Sequence, residues 1–68
     1  MKKFNEKLRE LRAQLGIQQK QAADEMGLSP STYSNYEQGT REPSLETLKV
    51  ICNYYDVSAD YLIGREEY

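Results

Sequence analysis

The 68-residue chain contains no histidine. Imidazole acid–base chemistry is therefore excluded, as are His-containing zinc sites and His-based triads. It has one cysteine, Cys52, so no internal disulfide can form and a reducing, intracellular setting is expected. No apolar run approaches the roughly 20 residues of a membrane span. Lys2 and Lys3 resemble the start of a signal peptide, but Asn5, Glu6 and Lys7 stand where its apolar stretch would follow. Together these features predict a soluble, cytoplasmic protein with no membrane partner. There is no Gly-rich loop to cradle a phosphate and no strand-like alternation. A surplus of positive charge is also missing: nine Lys and Arg against eleven Asp and Glu give a net charge of −2. A basic face is the usual footprint of a nucleic-acid binder, so the sum alone argues against one, and the placement of the charges must decide.

Helical periodicity is what the chain does have. Residues 19–36 read as a short helix, a tight turn and a second short helix. The first carries Ala22, Ala23 and Met26 as a narrow apolar stripe. Small side chains suit helices that cross closely over a short turn. Gly27 can take positive φ and lets the chain leave that helix sharply. Ser29 is placed to cap the second helix and Pro30 to occupy its first position, where no N–H is needed. Leu28 and Tyr33 flank that start as a hydrophobic staple, and Tyr33 and Tyr36 share the inner face. The outer face is Pro30, Ser31, Thr32, Ser34, Asn35 and Gln38, all uncharged. Such a short, polar, non-acidic face can enter a DNA major groove without repelling phosphates.

The remaining segments complete a five-helix plan, with helices over about 2–15, 18–26, 30–37, 45–55 and 59–63 and a tail at 65–68. Phe4, Leu8, Leu11 and Leu15 form one stripe of the first helix, and Gly16 ends it. Gln18 stands at the cap position of the second. Ser44 caps the fourth, whose apolar face is Leu45, Leu48, Ile51, Cys52 and Tyr55. Asp56 breaks it, and Val57 and Leu62 bracket Ser58 as a staple around the last helix. The spacing predicts an all-α, compact five-helix bundle forming one domain over 1–68, with a small core that depends on good packing or a partner subunit.

The pattern Leu8, Leu11, Arg12, Gly16, Gln19, Ala23, Gly27, Tyr36, Glu37, Gly39, Pro43, Leu48, Val57, Tyr61 and Leu62 resembles the helix-turn-helix domain of the phage Cro and repressor (XRE) family. The likeness runs from about Phe4 to Gly64. It implies a lambda-repressor-like fold and a regulator, most simply a repressor, that binds palindromic double-stranded operator DNA as a homodimer. No cofactor and no small-molecule substrate are implied. By position, Pro30, Ser31, Thr32 and Asn35 match residues that face base edges, with Asn35 able to pair bidentately with adenine. Gln18, Gln19, Gln38, Thr40 and Arg41 match the phosphate-contacting set, Gln19 at a helix N-terminus suited to an anion. Arg12 and Glu37 match a partly buried salt bridge that ties the first helix to the third. The chain departs from the family at three places: Ala22 stands where leucine is usual, Tyr33 where Ile or Val is common, and Pro30 where a hydrogen-bonding side chain often stands.

Between residues 18 and 44 the cations are Lys20 and Arg41, against Asp24, Glu25, Glu37 and Glu42. Backbone N–H groups and neutral amides are therefore expected to carry much of the phosphate contact, with Lys2, Lys3, Lys7 and Arg9 assisting from the first helix. The tyrosines are expected to pack rather than stack on single strands, and Cys52 to be an inert core thiol. A dimer surface is expected within 57–68, where Tyr61, Ile63 and Tyr68 exceed what so short a helix can bury. The competing reading is a protein-interaction module, such as an antitoxin, on the same fold. Catalysis is a distant third, because only scattered carboxylates remain to perform it.

Overall fold

Three serines open three of the helices. The computed structural model describes residues 4–64, in which five helices follow one another: α1 (Phe4–Leu15), α2 (Gln19–Met26), α3 (Pro30–Gln38), α4 (Leu45–Tyr55) and α5 (Ala59–Leu62). Ser29, Ser44 and Ser58 stand extended just before α3, α4 and α5, and their hydroxyls accept from the N–H groups of Thr32, Thr47 and Tyr61. Each satisfies one orphan donor of a helix start, an interaction typically worth about 1 kcal/mol. Gln18 precedes α2 in the same extended conformation, but its side chain makes no cap hydrogen bond.

The helix ends repeat one solution. Leu28 N–H reaches back to the Ala23 carbonyl, Thr40 N–H to Asn35, and Val57 N–H to Cys52. This six-residue closure needs a left-handed residue in between. Gly27 and Gly39 supply it at φ 76 and 82, and Asp56 does so at φ 56 as a non-glycine. A short polar side chain makes that conformation tolerable for aspartate.

α3 packs against α1 and α2, α4 against α2 and α5, and α5 against α1. Leu8, Ala22, Ala23, Tyr33, Ile51 and Leu62 are fully enclosed at the centre of this arrangement. Ala22 and Tyr33, both unusual for the resemblance, thus lie in one buried cluster. Among the described residues, no helix is long and apolar enough to cross a membrane.

Two stripe residues are misplaced by periodicity. Leu15 is 56 % exposed and Leu45 80 % exposed. Each is the terminal residue of its helix, and periodicity assigns a face without saying whether a neighbour covers it. Ile63, just beyond α5, is 54 % exposed while Tyr61 is half-buried. The expectations for Lys2, Lys3, Tyr68 and the 65–68 tail lie outside the described residues.

Candidate nucleic-acid interface

The turn between α2 and α3 delivers a short helix whose inner side is buried and whose outer side is free. Tyr33, Tyr36 and Glu37 face inward from α3. Glu37 is the unusual member, a carboxylate with 1 % of its surface exposed. Its oxygens are met by Arg12, with Nε 2.7 Å from Oε2 and Nη2 3.1 Å from Oε1, and by the Gln19 amide at 2.9 Å. Arg12 also donates to the Ile17 carbonyl at 2.8 Å, in the link between α1 and α2. One carboxylate thus joins α1, α2 and α3. Burial alone pushes the Glu37 carboxyl upward. The hydrogen bonds from Arg12 and Gln19, with the guanidinium charge, outweigh it and hold the carboxyl below its ordinary value.

The end of α3 has no basic residue of its own. Arg9, from α1, donates to the Glu37 carbonyl and places a cation at that negative helix end. Arg9 is exposed and makes this contact with one of its five N–H donors. Lys7 is displaced from the role the sequence suggested. It is fully buried, its Nζ 2.8 Å from the Tyr61 carbonyl and 4.7 Å from the centre of the Tyr61 ring. An ammonium held this way clamps α1 to α5 and does not reach a phosphate. A signal existed: Lys7 is three residues after Phe4 and four before Leu11, inside the apolar stripe.

The outward residues divide by what their polar groups already do. Pro30 and Ser31 are exposed at the start of α3, and Asn35 is half-buried on its flank. The Thr32 hydroxyl oxygen accepts from Ser29 Oγ at 2.7 Å, which keeps Thr32 close to the cap. Gln38 is exposed and donates from its amide to Ser34 Oγ at 3.0 Å, leaving its second amide proton uncommitted. Gln19 is in the same position, with one proton on Glu37 and one left for another acceptor. Gln18 and Arg41 are exposed. Thr40 turns its hydroxyl proton toward the Asn35 carbonyl at 3.3 Å, so it can serve a phosphate only after the rotor turns. Lys20 is paired with Asp24 at 3.1 Å in a solvated i, i+4 bridge. Pro30, Ser31, Thr32 and Asn35 therefore lie along one helix; Gln18 and Gln19 stand at the start of α2, with Gln19 bonded to Glu37 in the last turn of α3, and Gln38, Thr40 and Arg41 lie at and beyond the end of α3.

Among the described residues, no group of three or more Cys, Asp or Glu side chains could hold a metal ion. Cys52 is half-buried, and burial pushes its thiol upward, away from the reactive thiolate.

Two short helices across a left-handed turn, the second anchored by a buried ion pair with its polar face outward, define a helix-turn-helix domain. A helix-turn-helix family profile matches residues 8–62, and the chain belongs to that family, of the Cro/repressor (XRE) type. It is 40 % identical over 64 residues to the HTH-type transcriptional regulator ImmR of Bacillus subtilis (strain 168), covering 94 % of this chain and 50 % of the relative. It is 34 % identical over 64 residues to the cryptic phage CTXphi transcriptional repressor RstR of Vibrio cholerae, covering 94 % of this chain and 58 % of the relative. The chain thus spans about half the length of the curated relatives it matches. Its fold superposes on a crystal structure of the P22 c2 repressor in complex with a synthetic operator, with a TM-score of 0.89 and 27 % identity. That superposition covers 97 % of this chain and 100 % of the repressor chain.

Proposed function

We propose that the chain is a sequence-specific double-stranded DNA-binding transcriptional regulator, a repressor that reads a palindromic operator with α3 as a cytoplasmic homodimer. The single observation that carries this is the uncharged outer face of α3, held in a fixed attitude by the buried Arg12–Glu37 pair. Pro30, Ser31, Thr32 and Asn35 are the base-facing set, with Gln18, Gln19, Gln38, Thr40 and Arg41 along the backbone. The P22 c2 repressor, whose fold this chain shares, is in complex with a synthetic operator, which supports operator DNA as the ligand. No catalytic role is assigned.

The test is selection of duplex DNA from a random pool by the purified chain. Enrichment of a palindrome, with half-site centres about one helical turn apart, is the expected result. A single enriched half-site would remove the dimer, and no enrichment by a folded chain would remove the DNA reading. The salt dependence of binding follows from the charges. With Lys7 buried and Lys20 paired to Asp24, few cations are left to displace counterions. A log–log slope no steeper than about −6 per dimer is expected, since each neutralised phosphate contributes roughly −0.9. Titration by fluorescence anisotropy at several salt concentrations measures it.

A further inference from the structure

The inner face of α3 carries a second buried polar contact besides the Glu37 ion pair. The Tyr33 hydroxyl meets the Tyr55 hydroxyl at 2.6 Å, between α3 and α4. Tyr33 has no exposed surface and Tyr55 has 9 %. Phenylalanine at either position would fill nearly the same volume with no polar group to satisfy, so packing alone does not call for the pair of hydroxyls. Tyr33 and Glu37 are four residues apart on one face of α3. Either hydroxyl can donate to the other. The Tyr55 ring is itself set edge-on to Tyr54, with centroids 4.9 Å apart and planes at 81°.

This contact has a mechanical consequence. α3 packs on α1 and α2, whereas α4 packs on α2 and α5. The hydroxyl pair is a contact through which α4 reaches the inner face of α3. An outward side-chain tip lies about 5–6 Å from a helix axis, so a rotation of about 20° moves it by about 2 Å. That displacement exceeds what a base-edge hydrogen bond tolerates. The same carboxylate holds Gln19 at the start of α2, so movement of Glu37 also re-aims the amide directed at the backbone.

We infer that Tyr55 is a positioning residue for sequence reading: through Tyr33 its hydroxyl sets the rotation of α3, and with it the place of Glu37 and the aim of Gln19. The inference rests on the DNA-binding reading above. Tyr55→Phe removes one oxygen and keeps the ring. Affinities of the wild type and the variant are measured for the selected duplex and for a scrambled duplex of equal length, at a temperature where circular dichroism finds both folded.

The expected result is a loss of about threefold to tenfold on the selected duplex, the scale of one neutral hydrogen bond, with scrambled-duplex affinity unchanged. Tyr54→Phe, on the neighbouring ring, is expected to leave the ratio of the two affinities as in the wild type. An unchanged ratio in a folded Tyr55→Phe protein would overturn the inference while leaving the DNA reading standing. A wild-type chain that enriches no duplex would overturn both. NMR of the free wild-type protein supplies a readout that does not depend on the variant folding. Slowly exchanging phenolic protons from Tyr33 and Tyr55 are expected, and rapid exchange of both would overturn the hydroxyl contact.

Discussion

Arg12→Met is expected to lower folding stability by about 3–5 kcal/mol, read as a fall in the urea midpoint at pH 7. The figure reflects what is left behind more than what is lost. Removing the guanidinium strands the Glu37 carboxylate inside the domain with the Gln19 amide as its remaining hydrogen-bond donor. The whole stability of a domain this size is of the order of 5 kcal/mol, so the variant sits near its unfolding midpoint before any denaturant is added. The pH profile gives a second, signed test. In the native protein the Glu37 carboxyl is held below the ordinary glutamate value of about 4.5. Its contribution is therefore full above that value and is lost as the pH falls through the lowered one. Urea midpoints taken from pH 7 down to pH 3 are expected to fall in the wild type across this acid window. The corresponding profile of Arg12→Met is expected to be flatter, because the guanidinium hydrogen bond and charge that lower the carboxyl are gone while the burial that raises it remains.

Asn35→Ala is expected to cost about 1–3 kcal/mol per half-site on the selected duplex and to relax the preference at one base pair. Asn35 contributes its backbone carbonyl to the close of α3, where it accepts from Gly39 and Thr40. Its amide side chain takes no part in that closure, so stability is expected to change little. Competition among duplexes substituted one position at a time separates the outcomes. Loss confined to one symmetric position identifies the base that Asn35 reads. Uniform loss over all sequences would make Asn35 a backbone ligand instead.

The parts of this fold that are legible in the sequence are those governed by neighbours in the chain. Ser29, Pro30, Gly27, Ser44 and Asp56 act within one or two turns of themselves, and their places in the structure follow from local chemistry. The Arg12–Glu37 pairing spans 25 residues, and no spacing rule joins the two; only the likeness to other helix-turn-helix chains suggested it. The Tyr33–Tyr55 hydroxyl contact lacked even that guide. Both tyrosines were readable as inward-facing, but helical periodicity carries no information about where a phenol oxygen ends. Lys7 illustrates the opposite failure. Its position in the stripe was legible, and its charge led to a surface role, although a carbonyl and an aromatic face can compensate a buried ammonium. Leu15 and Leu45 were over-assigned because a stripe can run past the end of what it packs against.

α3 performs two tasks with two separate sets of side chains. Tyr33, Tyr36 and Glu37 bind it to the domain, while Pro30, Ser31, Asn35 and Gln38 contribute little to its anchoring. An altered outward residue leaves the anchor intact, and an altered anchor leaves the outward residues in place but wrongly aimed. On the proposed DNA-binding reading, the scaffold can be inherited unchanged while the address it reads is rewritten, and a lineage of such chains can acquire new operators without first having to refold.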